Sequence, residues 1–279
     1  MKLKFIKQDI IKKLSDGGIE NPSLEAFLLI EKFTGLDKVA QIMKADEEIE
    51  DTSSLFEATE KRISGSPMAY ILRHREFYGL DFYIDENVLI PRADTETLVE
   101  EGINFLENRE GTFLDLCTGS GCVGVSVSYN TKTPAVLADI SPSALAVCKA
   151  NAERYIKNRY EVVQSDLFSS LEGRKFSAIL TNPPYLTDSW YEIVDKEVKM
   201  EPELAFLGFG SDGLDLIRKI IENGPFFLEN NGLLAIECDY RQTKECARLL
   251  EHRGFVDIKI LKDLAGLERC VRGIYPDAS

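Results

Sequence analysis

Five short apolar runs recur along the chain: TFLDLC (112–117), AVLADI (135–140), EVVQSD (161–166), FSAILTN (176–182) and LLAIECDY (233–240). Helix-patterned segments lie between them, among them SALAVCKANAERYI (143–156) and GLDLIRKIIENGPFFL (213–228). Apolar runs of strand length alternating with amphipathic helices predict an α/β fold, a doubly wound parallel sheet. Ligands of such sheets bind beyond the carboxyl ends of the strands. The tail, VDIKILKDLAGLERCVRGIY (256–275), breaks the alternation and reads as two strands joined by a Gly-containing loop, an antiparallel edge hairpin.

Residues 1–75 form a separate helical domain in this reading. Asn21-Pro22 predicts a helix start with Asn21 as cap, and Gly35 its end. Leu24, Phe27, Leu28 and Ile30 or Glu31 then fall at near-helical spacing. After the acidic stretch ADEEIEDTSS (45–54), LFEATEKRISG (55–65) predicts a further helix. In EFYGLDFYIDENVLIP (76–91) aromatic and β-branched residues alternate around Gly79-Leu80-Asp81, which predicts a β-hairpin linker over 76–90. The α/β domain takes residues 91–279.

No run of about 18 apolar residues exists to span a membrane. The basic start MKLKFIKQDIIKK lacks the apolar core and cleavage site of a signal peptide. Six cysteines without a CxxC pair, and two histidines, point to a reduced, cytoplasmic protein with no metal site. Charge is uneven: residues 1–75 carry a net −1 and residues 76–279 a net −13. An acidic α/β domain argues against a nucleic-acid substrate, which requires phosphate neutralisation.

The first predicted strand runs into LDLCTGSGCVGVSV (114–127). Gly119 and Gly121 allow backbone amides to approach a ligand at the start of the next helix. Gly119–Gly124 satisfies GxGxxG, which several nucleotide-type cofactors share, so the turn alone does not choose among them. Asp139 ends the second strand, where a carboxylate accepts both hydroxyls of a ribose; Ser141 already serves as cap of the following helix. Asp166 ends the third strand, either accepting from an adenine amino group or capping the loop. The fourth strand runs into TNPPYL (181–186). Two prolines cannot continue a sheet ladder, so the strand stops at Thr181 and a stiff loop fixes the Asn182 amide and the Tyr185 ring. No acid–base partner for a hydride acceptor follows this strand, which weighs against a nicotinamide enzyme.

With DLCTGSG after strand one, the NPPY tetrapeptide resembles the amino-methylating S-adenosylmethionine-dependent methyltransferases. PRADTE (91–96), TNPPY (181–185), EPELAFLGFGSDGLDLIRKI (201–220) and DLAGLERCVRG (263–273), in this order, closely resemble the HemK-type (PrmC) N5-glutamine methyltransferases of peptide chain release factors. The resemblance implies a Rossmann-like methyltransferase sheet, S-adenosylmethionine as cofactor, release factors as partners, and the GGQ-motif glutamine as substrate. It implies that Cys117, Thr118, Gly119, Ser120 and Gly121 hold the methionine end and Asp139 and Ile140 the ribose. Asp166 and Leu167 would flank the adenine. Asn182, through its side-chain carbonyl, and the Pro183 carbonyl would accept the two amide hydrogens, with Pro184 keeping the loop rigid and Tyr185 packing on the amide. Cys117 stands where the family usually has glycine, and Leu167 where some members have an aromatic. A nucleic-acid amino methyltransferase (N6-adenine or N2-guanine) with the same clamp is the alternative.

Overall fold

A computed structural model describes residues 1–277. The chain forms two compact units, residues 1–74 with 195–200, and residues 75–194 with those from 201 on. In the first unit, α1 (Leu3–Asp16) buries Leu3, Ile6, Ile10 and Leu14, one stripe at three- and four-residue spacing. That stripe packs on α2 (Pro22–Thr34), joined by α3 (Lys38–Met43), α4 (Ser53–Ile63) and α5 (Met68–Leu72). Gly35 ends α2 in the left-handed conformation, as expected, but Asn21 makes no side-chain capping bond. The inner face of α2 also differs from expectation: Ala26, Leu29 and Ile30 are buried, whereas Leu24 is 57% exposed. PSLEAFLLIEKF is apolar around most of its circumference, so spacing left two candidate faces and packing selected one. Arg62 is buried in this unit, donating to both Glu25 oxygens (2.6 and 2.9 Å) and to Glu197 of the 195–200 segment (2.6 Å).

The second unit opens with β1 (Arg75–Phe77) and β2 (Leu80–Phe82), an antiparallel hairpin. Its turn is Tyr78-Gly79, one residue earlier than predicted. Both residues have positive φ (50° and 71°), the geometry that matches strand twist in a two-residue hairpin. Then follow α6 (Glu96–Leu106), β3 (Phe113–Leu116), α7 (Cys122–Thr131), β4 (Ala135–Asp139), α8 (Pro142–Tyr155), β5 (Tyr160–Gln164), β6 (Phe176–Thr181), α9 (Asp188–Glu192), α10 (Asp215–Asn223), β7 (Leu228–Glu237), α11 (Thr243–His252), β8 (Val256–Lys262) and β9 (Glu268–Tyr275).

These strands form one seven-stranded sheet in the order β5-β4-β3-β6-β7-β9-β8. Strands β3 to β7 are parallel, and the β8–β9 hairpin joins β7 antiparallel through β9. The predicted doubly wound sheet with an antiparallel edge hairpin is therefore the fold, with β8 outermost. Strand order reverses between β3 and β6, and that switch point opens a crevice at their carboxyl ends. It sets the 117–121 turn beside the 182–185 loop. Among the described residues no helix is long and apolar enough to cross a membrane.

Candidate active site

Four chain segments leave the carboxyl edge of the sheet around one cavity of about 370 Å3. Cys117, Thr118, Gly119 and Ser120 supply one wall, Asp139 and Ile140 a second, Asp166 and Leu167 a third, and Asn182 and Pro184 a fourth. Nearly every predicted cofactor residue thus faces the same space. Gly121 stays beneath the turn, against Cys148. Strand β5 stops at Gln164, so Asp166 stands two residues beyond it rather than ending it. Gly119 has φ +54°, and a side-chain carbon built there would meet no atom within 4 Å. The turn consequently presents bare backbone to open space, the cradle a nucleoside-type ligand requires.

Asp139 organises this turn. Its Oδ2 accepts from the Gly119 amide and its Oδ1 from the Ser141 amide, both at 2.9 Å. Burial pushes its pKa up, and these backbone donors pull it back. Each oxygen retains acceptor capacity toward the cavity. Ser141 Oγ meanwhile accepts from the Ala144 amide at 3.2 Å, so the α8 cap is served without Asp139. Beneath lies Asp115, which sequence reasoning missed although a carboxylate inside the apolar run FLDL is itself a signal. Asp115 accepts from Thr118 Oγ1 (2.5 Å) and the Gly124 amide (2.8 Å), and burial pushes its carboxyl up to about 7.

Both departures from the family pattern, Cys117 and Leu167, adopt positive φ (60° and 47°). Glycine takes this conformation without steric cost, whereas a side chain there is strained. Burial raises the Cys117 thiol and pushes Cys122 up to about 12.

The 182–185 loop is held from several sides. Asn182 Nδ2 donates to Thr95 Oγ1 at 3.3 Å, which turns Oδ1 away from Thr95. The Tyr185 carbonyl accepts from Gln242 Nε2 (2.8 Å), which also donates to the Asp212 carbonyl (2.7 Å). Leu186 and Leu207 form a parallel bridge. The GFGSDG segment (208–213) lies on the loop's backbone: a Cβ on Gly208 would stand 2.7 Å from Tyr185 Cα, and one on Gly213 2.2 Å from Tyr185 O. Burial raises the Tyr185 phenol. Tyr185 lines a second cavity of about 90 Å3 with Leu89, Arg92, Leu186, Ala205, Phe206 and Glu237, and Asn182 forms part of both cavity walls.

The remaining sequence motifs converge on the same place. Glu201 accepts from the Ile90 amide at 2.9 Å and from Arg92 Nη2. Asp94 pairs with Arg269 at 3.1 Å. Thr95, Glu201, Glu237 and Gln242 escaped residue-by-residue reading because each is a lone polar residue whose partners lie far away in sequence.

The loss expected from Asp139→Ala follows from this geometry. It removes a charged acceptor and frees the Gly119 amide, and S-adenosylhomocysteine binding should weaken by about 1.5–3 kcal/mol. Calorimetry showing unchanged affinity would remove Asp139 from the ligand site.

Known proteins resemble this chain in both of its parts. Residues 94–199 match the Methyltransferase small domain family and residues 7–72 the PrmC N-terminal domain family. A release factor glutamine methyltransferase of Borreliella burgdorferi is 37% identical over 252 residues, covering 88% of this chain and 87% of its own. That of Moorella thermoacetica is 34% identical over 97% of both chains. Among solved structures, the hMettl16 catalytic domain in complex with MAT2A 3'UTR hairpin 6 shares the fold, with TM-score 0.60 at 12% identity over 79% of this chain and 83% of that one. Identity at this level, sustained through both the helical and the α/β parts, shows that the chain belongs to the release factor glutamine methyltransferase family.

Proposed function

We propose that the protein methylates the side-chain amide nitrogen of a glutamine in a peptide chain release factor, the glutamine of its GGQ motif. The observation that carries the reading is the position of Asn182 in the wall common to two cavities, with its NH2 group tied to Thr95. The larger cavity accommodates the methyl donor and the smaller one a primary amide. The donor is S-adenosylmethionine, which supplies an electrophilic methyl group on a sulfonium. Thr118, Gly119, Ser120 and Asp139 hold it in this reading, with Asp166 and Leu167 at the adenine end.

An amide nitrogen is a poor nucleophile because its lone pair is delocalised into the carbonyl. Asn182 Oδ1 and the Pro183 carbonyl grip the two N–H bonds and orient the nitrogen. They also stabilise the positive charge that grows on it, an interaction stronger in the transition state than in the ground state. Pro184 holds the loop stiff, and Tyr185 packs on the amide and excludes water. No strong base is needed, since the alkylated nitrogen becomes acidic and loses its proton late. Labelled S-adenosylmethionine offered with either a release factor or tRNA tests the reading: label is expected in the factor. Label in tRNA alone would favour the nucleic-acid alternative, against which the −13 balance of residues 76–279 counts.

Residues 1–75 would serve as the docking domain for the protein substrate, in a cytoplasmic enzyme, since all residues assigned to the donor and clamp lie after Pro91. Removing these residues should raise the KM for a whole release factor several-fold while S-adenosylhomocysteine affinity stays nearly intact. An unchanged KM would end the docking idea.

A further inference from the structure

Glu237 is a buried carboxyl to which the mechanism above gives no task. It closes β7 at the carboxyl edge of the sheet. The parallel register that pairs Thr181 with Ile236 sets the next residues, Asn182 and Glu237, side by side. Glu237 is 2% exposed, forms part of the small cavity's wall with Asn182 and Tyr185, and its Oε2 has no hydrogen-bond partner. A buried acceptor without a donor costs on the order of 1–3 kcal/mol or more, so its retention calls for a reason. The side-chain donors that stabilise its charged form are Thr95 and Asn182.

We infer that Glu237 is a positioning residue for methyl transfer: with Thr95 it holds the Asn182 NH2 group, so that Oδ1 is the atom presented to the substrate amide. The inference rests on the reading of Asn182 as an acceptor. An asparagine amide turned by 180° has almost the same shape, so packing alone does not choose between its two orientations. The hydrogen-bond partners choose. Two acceptors on one side, the Thr95 hydroxyl and the Glu237 carboxylate, demand the NH2 group there. Drawing the N–H bonds toward a carboxylate also polarises the amide, placing more negative charge on Oδ1. Glu237 thereby strengthens the acceptor without touching the substrate.

The groups around this carboxyl are Asp94 and Thr95 ahead of α6, Arg92 in the cavity wall, Cys122 at the start of α7, Asn182 and Tyr185 after β6, Cys238 after β7, and Arg269 and Cys270 on β9. Burial pushes Glu237 up to about 7, and Thr95 and Asn182 pull it down. The acceptor form therefore accumulates as pH rises through neutrality.

Three variants test the inference: Glu237→Gln, Asn182→Asp, and the two combined. Each is read for kcat and KM with a release factor, and for S-adenosylhomocysteine affinity. Glu237→Gln removes the charged acceptor, and kcat should fall about tenfold, the value of one hydrogen bond to a charged group. Cofactor affinity should stay within about twofold, and KM should change less than kcat, since the Asn182 contact strengthens toward the transition state. The rise of kcat through about pH 7 in the wild type should disappear in Glu237→Gln. In the combined variant the introduced glutamine amide donates to the introduced carboxylate, reversing the polarity of the pair. Its kcat should exceed that of Asn182→Asp by about fivefold or more, a coupling of neighbours and not an additive loss. A Glu237→Gln enzyme with wild-type kcat, a combined loss equal to the product of the single losses, or a loss of cofactor affinity overturns the inference. A wild-type protein that leaves the release factor unlabelled, or a fully active Asn182→Ala, defeats the functional reading instead.

Discussion

Asn182→Ala is expected to lower the single-turnover rate at saturating cofactor about a hundredfold, the cost typical of removing one preorganised polar partner of a developing charge. S-adenosylhomocysteine affinity should change little, because Asn182 contributes one edge of a cavity whose other three walls remain. Asn182→Asp separates the two functions of the amide. It keeps an acceptor of the same shape facing the substrate but replaces the NH2 group with an oxygen directed at Thr95 and Glu237. The Thr95 hydroxyl can turn to donate, while the Glu237 carboxylate repels a second negative charge. The Asp variant should therefore retain clearly more activity than Ala. Its advantage should widen as pH falls from alkaline to acid, where Glu237 takes up a proton and becomes a donor, more readily than in the wild type because the Asn182 donor is gone and a second carboxylate stands beside it. Equal inactivity of both variants across that pH range would sink the acceptor mechanism and leave the clamp as a positioning device.

The second large effect is expected from a residue that touches neither ligand. Gly213 has φ +73°, and a Cβ there would lie 2.2 Å from the Tyr185 carbonyl oxygen and 3.0 Å from its carbonyl carbon. In Gly213→Ala the left-handed backbone costs about 1–2 kcal/mol. The methyl group must also push the clamp backbone away, since both colliding atoms are main chain. A displacement of about 1 Å at a reacting centre costs about a hundredfold in rate, so kcat should fall tenfold to a hundredfold. Cofactor affinity should hold, because the glycine turn and Asp139 are untouched. Gly254→Ala is the matched control: φ is +93° there, but no atom lies within 4 Å of its Cβ. It should lower the melting temperature through backbone strain and leave kcat alone. If the two variants lose kcat equally, strain and not the clamp contact is responsible.

The parallel sheet was legible because its strands are buried on both faces. Each therefore reads as a continuous apolar run, and a helix must cross between neighbours. The inner face of α2 was not legible. With Ala26, Phe27, Leu28, Leu29 and Ile30 consecutive, helical periodicity cannot rank the faces, and contact with α1 decided for Ala26, Leu29 and Ile30. The Asn21 cap failed for a related reason: capping propensity reports that an oxygen is available, while its geometry depends on how the chain enters the helix.

The glycine turn, Asp139 and the NPPY loop declared themselves because their chemistry is local: φ > 0 positions, a strand-end carboxylate and two prolines act within a few residues of themselves. The groups that hold the clamp did not. Gln242 is 57 residues from Tyr185, Thr95 is 87 from Asn182, and Glu201 is 109 from Arg92. Lone polar residues of this kind are common on any surface, and only burial against a partner turns one into a positioning group. The α/β topology, the glycine turn after β3 and the proline-stiffened loop after β6 could be read from the order of residues, because periodicity and backbone stereochemistry are properties of short segments. Tertiary structure alone decided which amide orientation Asn182 adopts, that a buried Glu237 stands beside it, and why Gly208 and Gly213 admit no side chain. Those are contacts between distant segments, and their energies do not exist until the chain has folded.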